Sequence, residues 1–114
     1  MVWQKEIDEL NIRLEMASKM GGEVGVSRQH ENGKLTVRER VYALADPGSF
    51  MELSALAGSA TYENNELVDF LPYPRVIGTS KINGVRVLLD GGDFTVRGGA
   101  GERGHGSKPS ALKY

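Results

Sequence analysis

The residues able to do chemistry are few and scattered. The two histidines, His30 and His105, sit among glycines and polar residues, with no third ligand at the spacing of a zinc site. They read as exposed loop histidines, and no metal site is expected. Asp90 and Asp93 lie close together at the end of an apolar run, where they could work as acid and base or serve as turn formers. There is no cysteine, which excludes thiolate catalysis, disulfides and Cys-based metal centres. Glycine is the abnormal count: 15 in 114 residues, with Gly91, Gly92, Gly98, Gly99, Gly101, Gly104 and Gly106 in one short segment. Gly99-x-Gly101-x-x-Gly104 matches a dinucleotide fingerprint by letter only, because a Rossmann loop needs a βαβ unit of about thirty residues. The segment reads instead as a strand end turning toward a helix start. It is either a flexible turn or a place where Arg97 and Arg103 favour an anion.

Composition narrows the classes further. The chain carries 14 Lys/Arg against 15 Asp/Glu, a formal charge of −1. That balance argues against sequence-independent nucleic-acid binding and against a polybasic membrane surface. No apolar run is long enough to span a bilayer, and MVWQKEIDEL has no apolar core behind a basic start. A cytoplasmic protein is the expectation, with an organelle left open for a longer parent.

The elements that must position these residues form an α+β pattern. Trp3, Ile7, Leu10, Leu14 and Ala17 recur at alternating spacings of four and three, predicting an amphipathic helix over 2–20 that Gly21-Gly22 stops. Its narrow stripe suits packing on its own domain or an arm across a neighbour. Residues 21–34 read as a flexible link. Thr36 and Glu39 have capping-box spacing and open a helix over 37–45, with Val37, Val41, Leu44 and Ala45 as its buried face. Phe50 to Leu56 alternates as a strand does, and 58–75 reads as a surface loop pinned by Phe70, Leu71 and Tyr73. Two β-rich runs meet at Asn83-Gly84, the favoured type I′ hairpin turn, over 76–95. Residues 107–114 look like the start of a helix.

Two stretches together resemble the β (carboxyltransferase) subunits of biotin-dependent acyl-CoA carboxylases. The first is Gly33-Lys34-Leu35-Thr36-Val37-Arg38-Glu39-Arg40-Val41, followed by Leu44-Ala45-Asp46-Pro47-Gly48-Ser49-Phe50-Met51-Glu52. It is similar to that family's G-K-(L/M)-T-(A/V)-R-E-R and L-x-D-x-G-S-F-x-E. The second is Val76-Ile77-Gly78-Thr79, Ile82-Asn83-Gly84-Val85-Arg86-Val87 and Asp93-Phe94-Thr95-Val96-Arg97-Gly98-Gly99, which is similar to the family's hairpin and its D-F-T-x-x-G-G. Their order and spacing over 33–99 carry the resemblance.

The resemblance implies a crotonase-like carboxyltransferase, of which residues 35–114 would be the truncated start of the N-terminal domain. It implies transfer of a carboxyl group from carboxybiotin to propionyl-CoA, acetyl-CoA or a related acyl-CoA. The partners implied are acyl-CoA, a biotin carboxyl carrier or biotin carboxylase subunit, and further copies of the chain. Such enzymes hold an acyl-CoA enolate and the biotin ureido anion with backbone N–H groups in later segments of the S-G-G-A-R kind. None occurs here, so no catalytic residue is assigned and the isolated chain is expected to be inactive. CoA brings three phosphates, making Lys34, Arg38 and Arg40 candidate phosphate contacts, though the same residues suit a solvated helix face. Thr95, Gly98 and Gly99 are candidates for the wall of the acyl-CoA site. The alternative reading is a non-catalytic assembly module or an inactive truncated homologue. A reading frame that continues past Tyr114 into an S-G-G-A-R-like segment would favour the enzyme.

Overall fold

A computed structural model describes residues 2–96 and residue 98. Three helices precede five strands: α1 (Gln4–Ser18), α2 (Gly22–Glu31), α3 (Val37–Leu44), β1 (Met51–Leu53), β2 (Gly58–Glu63), β3 (Glu66–Pro72), β4 (Arg75–Ile82) and β5 (Val85–Gly92). One antiparallel sheet has the order β1-β4-β5, and β2 and β3 form a separate hairpin. The α+β expectation holds, and the expected start of a helix at 107–114 lies outside the described residues.

The sheet and α3 share the core. β4 is paired on both sides, with Ile77 opposite Leu53 on β1 and opposite Asp90 on β5. Its Val76 and Ile77 are accordingly buried, Ile77 completely. α3 lays Val37 and Val41 against Val76, and Met20, Phe50 and Leu89 close the cluster. Removing such side chains from water is worth about 1.5–3 kcal/mol each. Leu44, expected on that buried face, is 58 % exposed, because the helix ends there and the chain turns away.

The hairpin turn behaves as its sequence requires. Asn83 and Gly84 both take positive φ (51° and 78°), the handedness of a type I′ turn. The carboxylate of Asp46, just past the end of α3, accepts the backbone N–H of Asn83 and of Gly84, each at 2.8 Å. Asp46 also donates its own N–H to the Lys81 carbonyl at 2.8 Å. The Asp-Pro-Gly that stops the helix therefore also holds the turn.

Three expectations are corrected. Residues 58–75 are not a loop but the β2–β3 hairpin, turning at Asn64-Asn65 with φ of 51° and 65°. Phe70 and Tyr73 do pin it, at 4 % and 8 % exposure. The strand expected over 50–56 is only Met51–Leu53, cut short where Ser54 takes a φ of 56°. The link over 21–34 contains α2, whose formation depends on contact rather than periodicity. Met20 and Gly22 turn the chain with φ of 55° and 85°. The Gly21 N–H then donates to Thr95 Oγ1 at 3.0 Å. A Cβ at Gly21 would stand 1.8 Å from the Thr95 carbonyl oxygen and one at Gly25 2.9 Å from it, so only glycine permits this approach.

α1 rests on β3, and its Glu9, Arg13, Met16 and Ala17 are the less exposed side. Tyr62 OH donates to Glu9 Oε1 at 2.8 Å, and Arg13 bonds both Tyr62 OH and Glu9. Of the apolar stripe, only Ala17 is buried; Trp3 is 65 % exposed, and Ile7, Leu10 and Leu14 lie open beside it. None of the described helices is long and apolar enough to cross a membrane.

Candidate functional site

The start of α3 is built as its sequence indicates. Thr36 Oγ1 accepts the Glu39 N–H at 3.2 Å, while Glu39 Oε1 accepts the Thr36 N–H at 2.9 Å, a complete capping box. The helix adds a third member that sequence reasoning missed. His30, on α2, donates from Nε2 to Glu39 Oε1 at 2.6 Å. The His30 imidazole, then the Thr36 backbone N–H, then the Thr36 hydroxyl hold the Glu39 carboxyl down to about 2. His30 is thus a tie between helices rather than an idle loop residue. Its only sequence signal was a histidine nine residues before a capping glutamate.

The three candidate phosphate contacts separate. Arg38 turns inward, and its Nη2 donates to both carboxylate oxygens of Glu52 on β1, at 2.7 and 3.0 Å. The two side chains are 17 % and 15 % exposed, which makes the pair a strut between α3 and the sheet. Arg38 is thus committed to Glu52 through Nη2 and faces away from the pocket described next, while its Nε is buried without a partner among the described residues. Lys34 and Arg40 instead come together at a pocket of about 340 Å³, whose wall also includes Gln29, Leu35, Phe94 and Thr95. Lys34 Nζ stands 5.9 Å from the centroid of the Phe94 ring, a cation–π distance. Phe94 is 63 % exposed at this opening.

The floor of the pocket is the turn after β5. Asp93 is 2 % exposed, and its Oδ1 accepts the Thr95 N–H at 3.0 Å and the Thr95 hydroxyl at 2.6 Å. Asp90 is engaged elsewhere, accepting Arg75 Nε and Nη2 at 2.6 and 2.7 Å. The two aspartates are separate structural anchors, a turn former and an ion-pair partner, and not an acid–base couple. Thr95 lines the pocket. Gly98 is exposed with a φ of 61°, and a side chain there would begin 3.9 Å from Phe94 Cζ. Gly99, Arg97, Arg103 and His105 lie outside the described residues. Among the described residues, no three His, Cys, Asp or Glu gather as a metal site.

Residues 28–114, which contain both α3 and the turn that floor this pocket, match the carboxyl transferase domain family. The chain belongs to that family. It is 38% identical over 91 residues to the mitochondrial propionyl-CoA carboxylase beta chain of Mus musculus, covering 77% of this chain and 17% of the relative. It is 36% identical over 108 residues to the biotin-dependent long chain acyl-coenzyme A carboxylase beta4 subunit of Mycobacterium tuberculosis, covering 95% of this chain and 20% of the relative. Among solved structures it resembles transcarboxylase 12S, described as a hexamer assembly with methylmalonyl-coenzyme A bound, with a TM-score of 0.68 and 35% identity over 82% of this chain and 18% of that one. The chain therefore spans about a fifth of the length of these carboxyltransferase relatives.

Proposed function

We infer that the protein to which this sequence belongs transfers a carboxyl group from carboxybiotin to an acyl-CoA. The match of residues 28–114 to the carboxyl transferase domain carries this reading. The relatives named propionyl-CoA carboxylase and acyl-coenzyme A carboxylase support acyl-CoA as the acceptor. Carboxybiotin is a substrate brought by a carrier partner, in keeping with the relative named biotin-dependent.

In this reading residues 35–114 open the N-terminal carboxyltransferase domain, and this segment positions substrate rather than reacting with it. Enolate formation on an acyl-CoA needs donors aimed at the developing oxyanion. Around the pocket such donors are spent: the Thr36 and Thr95 N–H groups are bound by Glu39 and Asp93. Lys34 and Arg40 contact CoA phosphates, and Thr95 with Gly98 and Gly99 forms part of the wall. The exposed stripe of α1 favours a role in assembly alongside this one, as a contact with a second copy of the chain.

The test is an assay with the full reading frame, a carboxylated biotin carrier and propionyl-CoA. Formation of methylmalonyl-CoA supports the reading. A folded full-length protein that transfers carboxyl to no short acyl-CoA overturns it.

A further inference from the structure

The chain contains two Asn-Gly pairs, Asn32-Gly33 and Asn83-Gly84. Such a pair carries its own nucleophile and electrophile. Glycine has no side chain to shield its backbone nitrogen. That nitrogen can attack the side-chain carbonyl of the asparagine before it and close a five-membered ring. The attack needs the glycine N–H to give up its proton and the backbone around it to turn. The surroundings of the two pairs govern both conditions, and they do so differently.

At Asn83-Gly84 both conditions fail. The Gly84 N–H donates at 2.8 Å to Asp46 Oδ2, and the Asn83 N–H donates at 2.8 Å to Oδ1. A nitrogen anion formed there would face a carboxylate, and a like charge at that range disfavours ionisation. The pair also forms the whole turn between Ile82 and Val85, which are register partners at the end of the β4–β5 ladder. Turning its backbone breaks both Asp46 bonds and the end of that ladder.

Asn32-Gly33 closes α2 instead, and both residues are exposed. Asn32 is the C-cap. The Gly33 N–H donates to the His30 carbonyl at 2.9 Å, and the Lys34 N–H to the Gln29 carbonyl at 3.1 Å. The acceptor of the Gly33 proton is therefore neutral. Arg28, His30, Glu31 and Lys34 flank the pair, so cations outnumber the one acid, and Glu39 on α3 is held by His30. α2 buries none of its residues, and its close packing lies at the opposite end, where Gly21 and Gly25 meet Thr95. Only exposed bonds tie down this end, from Gln29 to the Leu35 carbonyl and from His30 to Glu39. A helix end held in this way opens at low cost. Rotation about the Asn32 Cα–C bond then frees the Gly33 nitrogen.

We propose that Asn32-Gly33 is a self-modification site, where water converts Asn32 to isoaspartate and aspartate, and that Asp46 protects Asn83-Gly84 from the same reaction. The Gly33 nitrogen bonds to Asn32 Cγ as its proton passes to the departing amide. The bond from Cγ to Nδ2 breaks, and ammonia leaves. Water then opens the succinimide at either carbonyl, restoring the Gly33 N–H and leaving a carboxylate. One water is consumed and one ammonia released, with no oxidation or reduction. Opening at the Asn32 main-chain carbonyl routes the backbone through the side chain and lengthens it by a methylene. That product breaks the Gly33 and Lys34 bonds at the end of α2 and places a carboxylate at the negative pole of the helix. The His30–Glu39 tie to α3 loosens with it.

The experiment stores the full-length protein at neutral pH and samples it at intervals. Peptide mass spectrometry reads the conversion of each asparagine, and chromatography separates isoaspartyl from aspartyl peptides. The same protein in concentrated urea supplies the rates of the unfolded chain, where the two pairs are expected to convert alike. In the folded protein Asn32 is expected to convert at least about tenfold faster than Asn83, the factor that one bond to a charged acceptor is worth in a barrier. Asp46→Asn, verified as folded by circular dichroism, quickens Asn83 several-fold and leaves Asn32 unchanged. Asn32→Gln abolishes the isoaspartyl peptide at that position. An Asn32 that keeps its amide in the folded protein while losing it in urea overturns the site. Equal rates at the two pairs in the folded protein, or an Asn83 rate indifferent to Asp46→Asn, overturn the protection by Asp46.

Discussion

Replacing Asp46 should open the β4–β5 turn, and the structure fixes how much each replacement costs. The carboxylate accepts two backbone N–H groups with one oxygen each, at 2.8 Å to Asn83 and 2.8 Å to Gly84. Hydrogen bonds to charged groups contribute about 1.5–3 kcal/mol, and the solvent-open turn places these two at about 1–1.5 kcal/mol apiece. Asp46→Ala removes both, for a loss of about 2–3 kcal/mol. Asp46→Asn keeps one acceptor oxygen and loses about half of that. The backbone bonds of residue 46, to the Lys81 carbonyl and from the Ser49 N–H, survive either change, so the effect isolates the side chain. Urea denaturation of wild type and both variants reads these differences directly. In a chain of this size the alanine variant should melt on the order of 10–20 °C lower. Hydrogen exchange should quicken first at the Asn83 and Gly84 amides. An asparagine variant as unstable as the alanine variant, or an alanine variant within about 0.5 kcal/mol of wild type, would refute the two-bond argument.

Glu39 sets a pH dependence. Its carboxyl is lowered from 4.5 to about 2, so its support for α3 is complete above the ordinary carboxylate range and is lost as pH falls toward 2. His30→Gln removes the largest cause and should raise the Glu39 titration in carbon-13 NMR; an unmoved midpoint contradicts the assignment. Gly21→Ala should cost more than about 2 kcal/mol by forcing the α1–α2 elbow off Thr95, and a variant with wild-type urea midpoint shows that the elbow does not pack there. Trp3→Ala with Leu10→Ala should lower the association state seen by sedimentation equilibrium at tens of micromolar. A wild-type chain that sediments as a monomer rules out self-association through the stripe.

Local rules made some of this fold legible and missed the rest for identifiable reasons. The capping box and the Asn83-Gly84 turn are written within four consecutive residues each, and both stand as read. The β2–β3 hairpin escaped because it turns on Asn64-Asn65 instead of an Asn-Gly pair, and because its strands carry acids on an exposed surface. α2 escaped because its glycines weaken its propensity, while its docking depends on Thr95, far along the chain. The candidate site was half legible. Three nearby cations were visible in sequence, but the partner that withdraws Arg38, Glu52, sits on a different element. Phe94 entered only as a letter of a motif, since nothing local indicates that its ring would face Lys34 and Arg40.

The glycine elbow between α1 and α2 has a consequence for the order in which the molecule is made. Gly21 and its docking partner Thr95 are 74 residues apart in the chain. A ribosome adding roughly 5–20 residues per second needs about 4–15 s to cover that distance. The elbow between the first two helices therefore waits for a turn 74 residues further on, with the Gly21 N–H still without its Thr95 acceptor in the interval. A nascent chain arrested before Thr95 leaves the tunnel should be cut by protease within 16–25. One arrested well after it should resist, which makes the elbow a reporter of when the hairpin has closed.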